Sequence, residues 1–396
     1  MATFISVEMF AILGFVFECL FGCKVCLWNH YIRTISSPKN NETILSYRRD
    51  IELVNQWPNS MPPNIYSDHP QKTKVTHIAF LKVRKCGSCT ISSVLDRFAL
   101  TYDLRLAIPK QGEYLNRKED AILVNGTTSF DIFSVHTINY NEELFGQILP
   151  LDRKDIAIVR EPVSRLISAA FYYLPFAHTD PNCQYLARIP KQDYIHHLLM
   201  HPDVYEQYMF SLTRNAMAFD LGFTDSDWGL NDNEIKTRLK LLDDKIAIVL
   251  VLERLDESLV LMKRMFNWNL KDIVNTWHNK NNEKSETLLT FNQTELDTFR
   301  KFNRFDVAVY EFFSGALKQK IQNAGDDFQL EVDCFRNIKH RILKFCSSIH
   351  EHFNRSLQIE QNRWNEAFKF STDECSLLNS ATTRAFEKYL KSIGKT

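Results

Sequence analysis

The sequence predicts an α/β fold in which a P-loop-type parallel sheet is flanked by helices, with an N-terminal membrane anchor before it and a helical C-terminal region after it. Three observations support this prediction. From Val75 onward, short apolar runs alternate with amphipathic segments, which is typical of strand–helix units on a parallel sheet. A basic, hydroxyl-rich loop joins the first run to its helix. The chain has 396 residues and 44% hydrophobic content, enough to bury a large core.

The N-terminal region predicts an anchor and a stem. Phe4–Trp28 is mostly apolar and approaches the roughly 20 residues that cross a bilayer, although charged residues interrupt it. We assign residues 1–33 to a short cytosolic tail and a signal-anchor helix, and residues 34–74, which are rich in Ser, Pro, Asn and charge, to a stem. A core helix of a soluble protein and a cleaved signal peptide are the alternatives for the apolar segment.

The predicted strands and helices of the main domain, residues 75–325, follow in order. Apolar runs predict strands at Val75–Leu81, Asp131–Val135, Asp155–Val159 and Lys245–Leu252. Apolar residues at helical spacing predict helices after the first, third and fourth runs, at Ile91–Phe98, Pro162–Phe171 and Leu255–Phe266. Pro162 suits the first position of its helix, because the N–H that proline lacks has no partner there.

The C-terminal region, residues 326–396, is predicted to be a helical extension. Apolar residues from Phe328 to Phe353 recur at steps of three and four, which indicates one long amphipathic helix. This helix could pack internally or against a partner, so the sequence leaves the oligomeric state open.

Composition limits the partners of the protein. The 48 basic and 48 acidic residues balance, so no global field would draw the chain onto nucleic acid, and any anion site must be local. Four Asn-X-Ser/Thr sequons would matter only in the secretory pathway, and they begin at Asn41, Asn125, Asn292 and Asn354.

The nine cysteines lack the paired spacing of a structural zinc site. Cys86 and Cys89 form an isolated CxxC pair, for which a redox role is the alternative to a place in an anion-binding loop. In an oxidising compartment, disulfides could form among Cys183, Cys334, Cys346 and Cys375, and the sequence does not assign their connectivity.

The loop Lys82–Thr90 is the first candidate site. It runs from strand into helix, so free backbone N–H groups and the helix dipole would face an anion. Gly87 allows close approach of the backbone, and the other candidate contacts are hydroxyls or cations: Lys82, Arg84, Lys85, Ser88 and Thr90. Lysine precedes the single glycine, which reverses the order of an NTPase loop and favours a sulfuryl donor bound without a metal. An ordinary basic loop and a metal-dependent nucleotide kinase are the alternatives.

Two further candidates follow strand ends. Arg160 ends the third predicted strand, and Ser168 lies one to two helical turns later, so both could share a phosphate. His136 ends the second predicted strand. Because ligands gather at the carboxyl ends of the strands of an open α/β sheet, we expect these residues to face the same ligand site as the first loop.

These segments resemble the donor-binding motifs of Golgi-type sulfotransferases, and the rest of the chain narrows the match to the galactose-3-O-sulfotransferase family, which includes galactosylceramide sulfotransferase. The resemblance runs in order from about residue 75 to 335. It is carried by Phe80–Thr90, Ile158–Tyr173, Arg214–Gly222, Asp256–Leu261, Asn303–Asp306 and Tyr310.

The resemblance implies a sulfotransferase fold and transfer of a sulfuryl group from 3′-phosphoadenosine 5′-phosphosulfate (PAPS) to the 3-hydroxyl of a galactose. The acceptor would be a glycolipid or glycan, with the choice left open. The resemblance also implies a single-pass type II Golgi membrane enzyme with a lumenal catalytic domain and no metal. A catalytically silent protein that binds PAPS or glycan is the alternative.

Carried over residue by residue, the resemblance makes Lys85 the donor-loop lysine that neutralises charge as the phosphosulfate bond breaks. Gly87, Ser88 and Thr90 match the donor cradle, and Arg160 with Ser168 matches a clamp for the 3′-phosphate. Lys82, Arg84 and Cys89 complete the expected donor contacts.

The loop departs from the family pattern at three positions. Arg84 stands where the family usually has histidine, and arginine cannot accept a proton near neutral pH. We therefore expect His136 to be the general base, since its ordinary pKa is close to neutral. Cys86 and Cys89 replace the usual Thr and Ser, so backbone amides must compensate for two lost hydroxyl donors.

Overall fold

A computed structural model of the chain describes residues 73–124, 126, 129–205, 211–276, 289–348, 355–379, 390–391 and 394. The predicted anchor, nearly all of the predicted stem and the sequons at Asn41, Asn125 and Asn354 lie outside these residues. Apart from residues 361–363, which group with residues 1–71, the described residues belong to one compact unit.

A four-stranded parallel sheet forms the centre of this unit, in the order β2-β1-β3-β4. The strands are β1 (Ile78–Leu81), β2 (Ile132–Phe133), β3 (Lys154–Val159) and β4 (Ile248–Val251). Apart from Lys154, every strand residue is buried, as expected for a parallel sheet covered on both faces. All four predicted strands and the predicted parallel sheet are thus confirmed, although three of the strands are shorter than predicted.

The strand register places the loops that follow β1 and β3 next to each other. Leu81, the last residue of β1, pairs with Ala157 of β3, and Val159 at the end of β3 pairs with Val251 of β4. Because the strands are parallel, their carboxyl ends share one edge of the sheet. The loops that follow β1 and β3 therefore begin next to each other.

Helices follow the strands as the apolar spacing predicts. The helices in the first half of the unit are α1 (Ser88–Thr101), α2 (Glu142–Ile148), α3 (Pro162–Tyr173), α4 (Tyr194–Met200), α5 (Pro202–Tyr205) and α6 (Ala216–Asp220). Pro162 is the first residue of α3, as predicted, and the Glu161 carboxylate accepts hydrogen bonds from the next two backbone N–H groups.

The second half of the unit contains further helices and a small sheet. Its elements are α7 (Asp232–Lys245), α8 (Leu255–Phe266), α9 (Gln293–Phe302), α10 (Arg304–Gln322), α11 (Phe328–Ser347), β5 (Ser356–Ile359), β6 (Phe368–Ser371) and α12 (Thr372–Asn379). Strands β5 and β6 pair in the antiparallel sense, which the sequence pattern does not predict. The predicted C-terminal helix ends at Ser347, and the remainder of its predicted span up to Phe353 is almost wholly outside the described residues.

A disulfide joins Cys346, at the end of α11, to Cys375 in α12. This finding assigns one pair among the four cysteines whose connectivity the sequence leaves open. Within the described part of the chain, no helix is both long and apolar enough to cross a bilayer.

Candidate donor-binding site

The loop between β1 and α1, which we call the donor loop (residues 82–87), makes a tight turn at two left-handed residues. Lys85 has φ 62° and Gly87 has φ 77°. A Cβ atom on Gly87 would lie 2.5 Å from Cδ1 of Leu252, which directly follows β4. Glycine is therefore needed at position 87 for its backbone angle and for its close approach to β4.

The N-terminus of α1 presents uncompensated donors. The N-cap residue, Gly87, has no side chain to cap this end of the helix, and the first turn contains no acidic residue. Thr90 is 1% exposed, and its Oγ1 has no hydrogen-bond partner among the described residues. Since a buried hydroxyl without a partner is costly, Thr90 and the helix N–H groups fit an anionic ligand at this end.

The side chain of Lys85 lies against aromatic and cationic groups. Its Nζ is 3.4 Å from the centre of the Tyr172 ring. Burial lowers the pKa of the Lys85 ammonium to about 8, and the positive charges of Arg160 and Arg165 also lower it. An anion bound beside Lys85 would reverse this effect by stabilising the charged form.

The junction between β3 and α3 contacts the donor loop directly. Nη1 of Arg160 donates a hydrogen bond to the carbonyl oxygen of Lys85 at 3.4 Å. Ser168 lies on α3 and is 7% exposed. The structure thus brings Arg160 to the donor loop, as the strand order requires.

The base candidate His136 lies beyond the end of β2, beside an exposed aromatic ring. Its backbone pairs with Glu113 and Leu115 through N–H···O bonds of 3.1 Å and 2.8 Å. The rings of His136 and Tyr114 stack with centroids 5.3 Å apart. Tyr114 is 39% exposed, so one side of this aromatic pair is accessible to solvent.

The protonation state of His136 follows from its surroundings. Burial lowers the pKa of its imidazole well below the ordinary value, and the nearby charges of Lys82, Arg84 and Lys85 lower it further. Within the described residues, its Nδ1 atom has no hydrogen-bond partner. The imidazole also has a hydrogen bond to the backbone of Lys82, so the buried Nδ1 atom is the ring nitrogen left to accept a proton.

Arg84 has a partner that the sequence patterns do not reveal. Its guanidinium and its backbone N–H both bind the carboxylate of Asp220, with distances of 2.8 Å from Nε and 2.8 Å from N. Asp220 closes α6 and is 3% exposed. The signal for it is indirect, because Asp220 lies in the segment Arg214–Gly222 that carries part of the family resemblance.

Cys86 in the donor loop and Cys89 in α1 differ in exposure. Cys86 is fully buried, its Sγ contacts the carbonyl oxygen of Arg84 at 3.5 Å, and burial raises the pKa of its thiol. Cys89 is half-buried at the start of α1. Both are thiols rather than a disulfide. Because a buried thiol with a raised pKa is a poor nucleophile, the geometry disfavours the redox alternative.

A buried carboxylate, Asp96, binds the residue that directly follows β2. Asp96 in α1 is 0% exposed and accepts a hydrogen bond of 2.6 Å from Oγ of Ser134. Burial raises the pKa of Asp96 to about 7. Lys82, which lies near enough to act on this pKa, also lies near His136. The sequence patterns do not single out Asp96, because nothing in the spacing of α1 marks a buried polar residue.

The described residues contain no group of three or more His, Cys, Asp or Glu side chains arranged to hold a metal ion. The candidate site is instead built from cations, hydroxyls and a helix N-terminus, which are groups that bind oxyanions.

A parallel sheet with two adjoining basic strand-to-helix junctions is typical of α/β proteins that bind ligands at the carboxyl edge of the sheet. The model of the galactose-3-O-sulfotransferase family matches residues 33–372. The chain therefore belongs to the galactose-3-O-sulfotransferase family, as its motifs predict.

Relatives of known name agree with this assignment. The chain is 28% identical to human galactose-3-O-sulfotransferase 2 over 297 residues, which cover 71% of each chain. It is 25% identical to mouse galactose-3-O-sulfotransferase 3 over 307 residues, covering 73% of this chain and 67% of the relative. It is also 25% identical to bovine galactosylceramide sulfotransferase over 284 residues, covering 68% of this chain and 63% of the relative.

Proposed function

We propose that this protein transfers a sulfuryl group from PAPS to the 3-hydroxyl of a galactose on a glycolipid or glycan. Family membership supports the reaction class, and the names of the relatives support galactose or galactosylceramide as the acceptor. The observation that carries the proposal is the contact between Arg160 and the carbonyl oxygen of Lys85, because it unites two anion-binding junctions in one site.

A donor with anionic groups at two positions fits these junctions. Lys85 and the backbone of the donor loop, the N-terminus of α1 and Thr90 would bind the phosphosulfate end. Arg160 and Ser168, on the neighbouring junction, would hold the 3′-phosphate. The unpartnered Thr90 hydroxyl gains a hydrogen-bond partner in this arrangement.

The residues of the chain then divide the chemistry between them. His136, neutral because of its lowered pKa, accepts the proton of the galactose 3-hydroxyl as its oxygen bonds to sulfur. The bond between sulfur and the bridging phosphate oxygen breaks, and its electron pair stays on that oxygen. Lys85 stabilises the charge that develops there. The products are the 3-O-sulfated galactose and 3′,5′-ADP.

We propose that the protein acts in the Golgi lumen as a single-pass type II membrane enzyme. The apolar segment Phe4–Trp28 and the family resemblance support the anchor and the compartment. The disulfide between Cys346 and Cys375 supports an oxidising compartment, because such bonds are rare in reducing ones.

Transfer assays on the full-length chain test the proposed reaction. With labelled PAPS and a panel of galactosylceramide, N-acetyllactosamine and core glycans, we expect label on the galactose 3-oxygen of at least one acceptor. Lys85→Ala and His136→Ala are each expected to lower kcat by about 100-fold or more while the protein stays folded.

A matched histidine serves as the control. His77→Gln changes a histidine at the amino end of β1, which bonds to Asp152 at 2.8 Å and lies away from the ligand edge. This variant is expected to retain transfer activity. Binding of 3′,5′-ADP with no transfer to any acceptor would contradict the proposed reaction and favour a silent binding protein.

A further inference from the structure

Asp220 connects the donor loop to the segment after His136. The proposed reaction requires a fixed distance between these two segments. Its carboxylate binds the backbone N–H and the guanidinium of Arg84, the neighbour of Lys85. Its own carbonyl oxygen accepts a hydrogen bond of 2.8 Å from the N–H of Tyr140, in the segment that follows His136. One buried residue therefore binds both the donor loop and the segment that carries the expected base.

Arg84 adds a second, direct connection. Its Nη2 atom donates to the carbonyl oxygen of Ile138 at 3.3 Å, two residues beyond His136. Its guanidinium also lies 5.5 Å from the centre of the Phe219 ring. Arginine suits this position because its planar group donates in several directions from one fixed geometry, which lysine and histidine do not.

Helix α6, which carries Asp220, is itself held by buried hydrogen bonds. The N–H of Ala218, in the same helix as Asp220, donates to Oδ1 of Asp306 at 2.9 Å, and Asp306 is 1% exposed. The N–H of Asn215 donates to Oδ1 of Asn303 at 3.1 Å. Helix α6 is thus fastened to α10, and Asp220 cannot shift without disturbing buried hydrogen bonds.

The positive charge of Arg84 is already paired with the negative charge of Asp220. Although burial opposes its charge, the Asp220 carboxylate raises the pKa of the guanidinium. The Arg84 side chain is 12% exposed and that of Asp220 is 4% exposed. A donor phosphate approaching Arg84 would meet the like charge of Asp220, so this arginine is a poor donor ligand in comparison with Lys85.

We infer that the Arg84–Asp220 pair is a positioning strut, which fixes the His136 segment relative to the donor loop, and that Arg84 acts through this geometry rather than by binding PAPS. The inference rests on the proposed function, since it concerns the alignment of the base with the donor. It gives Arg84, which stands where the family usually has histidine, a role that needs no proton transfer.

Kinetics and binding, measured separately on the full-length chain, test the strut. Arg84→Lys keeps the charge but loses the guanidinium that donates hydrogen bonds to both the Asp220 carboxylate and the Ile138 carbonyl oxygen. We expect kcat at saturating substrates to fall on the order of 10- to 100-fold, since small misplacement of reacting groups has effects of this size. The Kd of 3′,5′-ADP, from calorimetry, is expected to change by less than about threefold, because the donor contacts remain.

Asp220→Asn provides the sharper test. Removing a carboxylate cannot weaken an anion site by charge, so a donor-binding role for Arg84 predicts equal or tighter 3′,5′-ADP binding with kcat retained. The strut predicts a loss of kcat similar to that of Arg84→Lys. The double variant is expected to lose no more than either single variant, because both break the same connection.

A second arginine–aspartate pair offers a matched control. Arg105 binds Asp131 through the same three atoms, with distances of 2.8 Å from N, 3.0 Å from Nε and 2.8 Å from Nη2. This pair lies at the amino end of β2, whereas His136 lies beyond its carboxyl end. Arg105→Lys is expected to lower the Tm without changing kcat.

Several outcomes would overturn the strut. One is a loss of 3′,5′-ADP affinity greater than about tenfold in Arg84→Lys with kcat unchanged. Another is an equal loss of kcat in Arg105→Lys, which would indicate a general effect of stability. If the lysine variant does not fold, Arg84→Gln, which retains one NH2 group in place of the guanidinium, is expected to show the same pattern. A parent chain that binds 3′,5′-ADP but transfers no sulfate would instead refute the proposed function.

Discussion

Lys85 and His136 need opposite charge states in the proposed reaction, and the protein lowers the pKa of both. Lys85 must be protonated to stabilise the leaving oxygen, and burial brings the pKa of its ammonium to about 8. His136 must be neutral to accept a proton, and burial keeps its pKa well below the ordinary value. Between these two values both residues are in their active forms.

This pair of shifts predicts a pH profile. In the free enzyme, kcat/KM for PAPS is expected to fall as the pH rises through about 8, where Lys85 loses its proton. On the acid side, activity is expected to persist below the ordinary histidine pKa of about 6.5, because His136 stays neutral there. Steady-state rates measured from pH 5 to about 9.5 provide the check.

The basic limb can be assigned with one substitution. Arginine does not lose its proton in this range, so Lys85→Arg is expected to remove the limb near pH 8 and leave the acid limb in place. A basic limb that is unchanged in this variant would mean that another group titrates.

The backbone angle of Lys85 leads to a prediction about stability. A left-handed conformation costs a residue with a Cβ atom roughly 1 kcal/mol, and Lys85 has φ 62°. Lys85→Gly and Lys85→Ala both remove the ammonium, so both are expected to lose activity. The glycine variant is expected to be more stable than the alanine variant by about 1 kcal/mol in urea unfolding, and the reverse order would contradict strain at this residue.

At the scale of elements, the sequence predicts the parts of the fold that depend on local periodicity. Helices α1, α3 and α8 follow from apolar spacing, and the start of α3 follows from Pro162. The hairpin of β5 and β6 is missed because each strand has only four residues and is largely half-buried or exposed, which gives no clear alternation.

The contacts among the candidate site residues could be predicted only in part, for a similar reason. The donor loop and Arg160 could be found because each lies between a strand and a helix, and their contact follows from the pairing of β1 with β3. The partner of Arg84 could not be found, because Asp220 is 136 residues away along the chain. Pairing at that distance depends on tertiary structure that no local pattern contains.

The close approach of Gly87 to Leu252 predicts the effect of adding one methyl group at position 87. Gly87→Ala adds left-handed strain of about 1 to 2 kcal/mol and also a contact of 2.5 Å with Leu252. We expect lower thermal stability and weaker binding of 3′,5′-ADP, measured by calorimetry, since either the Leu252 side chain or the donor loop must shift.

A second glycine separates the two causes. Gly112 has φ 65°, and an added Cβ there would meet nothing within 4 Å among the described residues. Gly112→Ala therefore carries the backbone strain alone. It is expected to lower stability less than Gly87→Ala and to leave nucleotide binding unchanged, and equal effects of the two variants would refute the packing argument.

At the scale of the whole molecule, the disulfide closes the chain between α11 and α12. It joins residues 29 positions apart, and a loop of this length corresponds to roughly 3 to 4 kcal/mol of stabilisation in the chain-entropy account. Helix α12 follows β6 directly, so the bond also ties the small sheet to the long helix.

Removing this bond is expected to lower the Tm of the protein. Cys346→Ser, Cys375→Ser and the double variant are expected to unfold at similar temperatures, below the parent, because each loses the same link. Dithiothreitol is expected to bring the parent to the Tm of the variants. Scanning calorimetry with and without the reductant provides the measurement, and a parent insensitive to reduction would refute the pairing.

The contact of Lys85 with Tyr172 has a consequence for the resting protein. An ammonium 3.4 Å from the centre of a ring is attracted to the electrons of its face without any neutralising anion. Among the described residues no carboxylate forms an ion pair with Lys85, so in the proposed reaction no such pair has to break when PAPS binds. The contact between Lys85 and Tyr172 is weak. In the proposed reaction, the phosphosulfate of PAPS therefore has only to bind the Lys85 ammonium more strongly than the Tyr172 ring does.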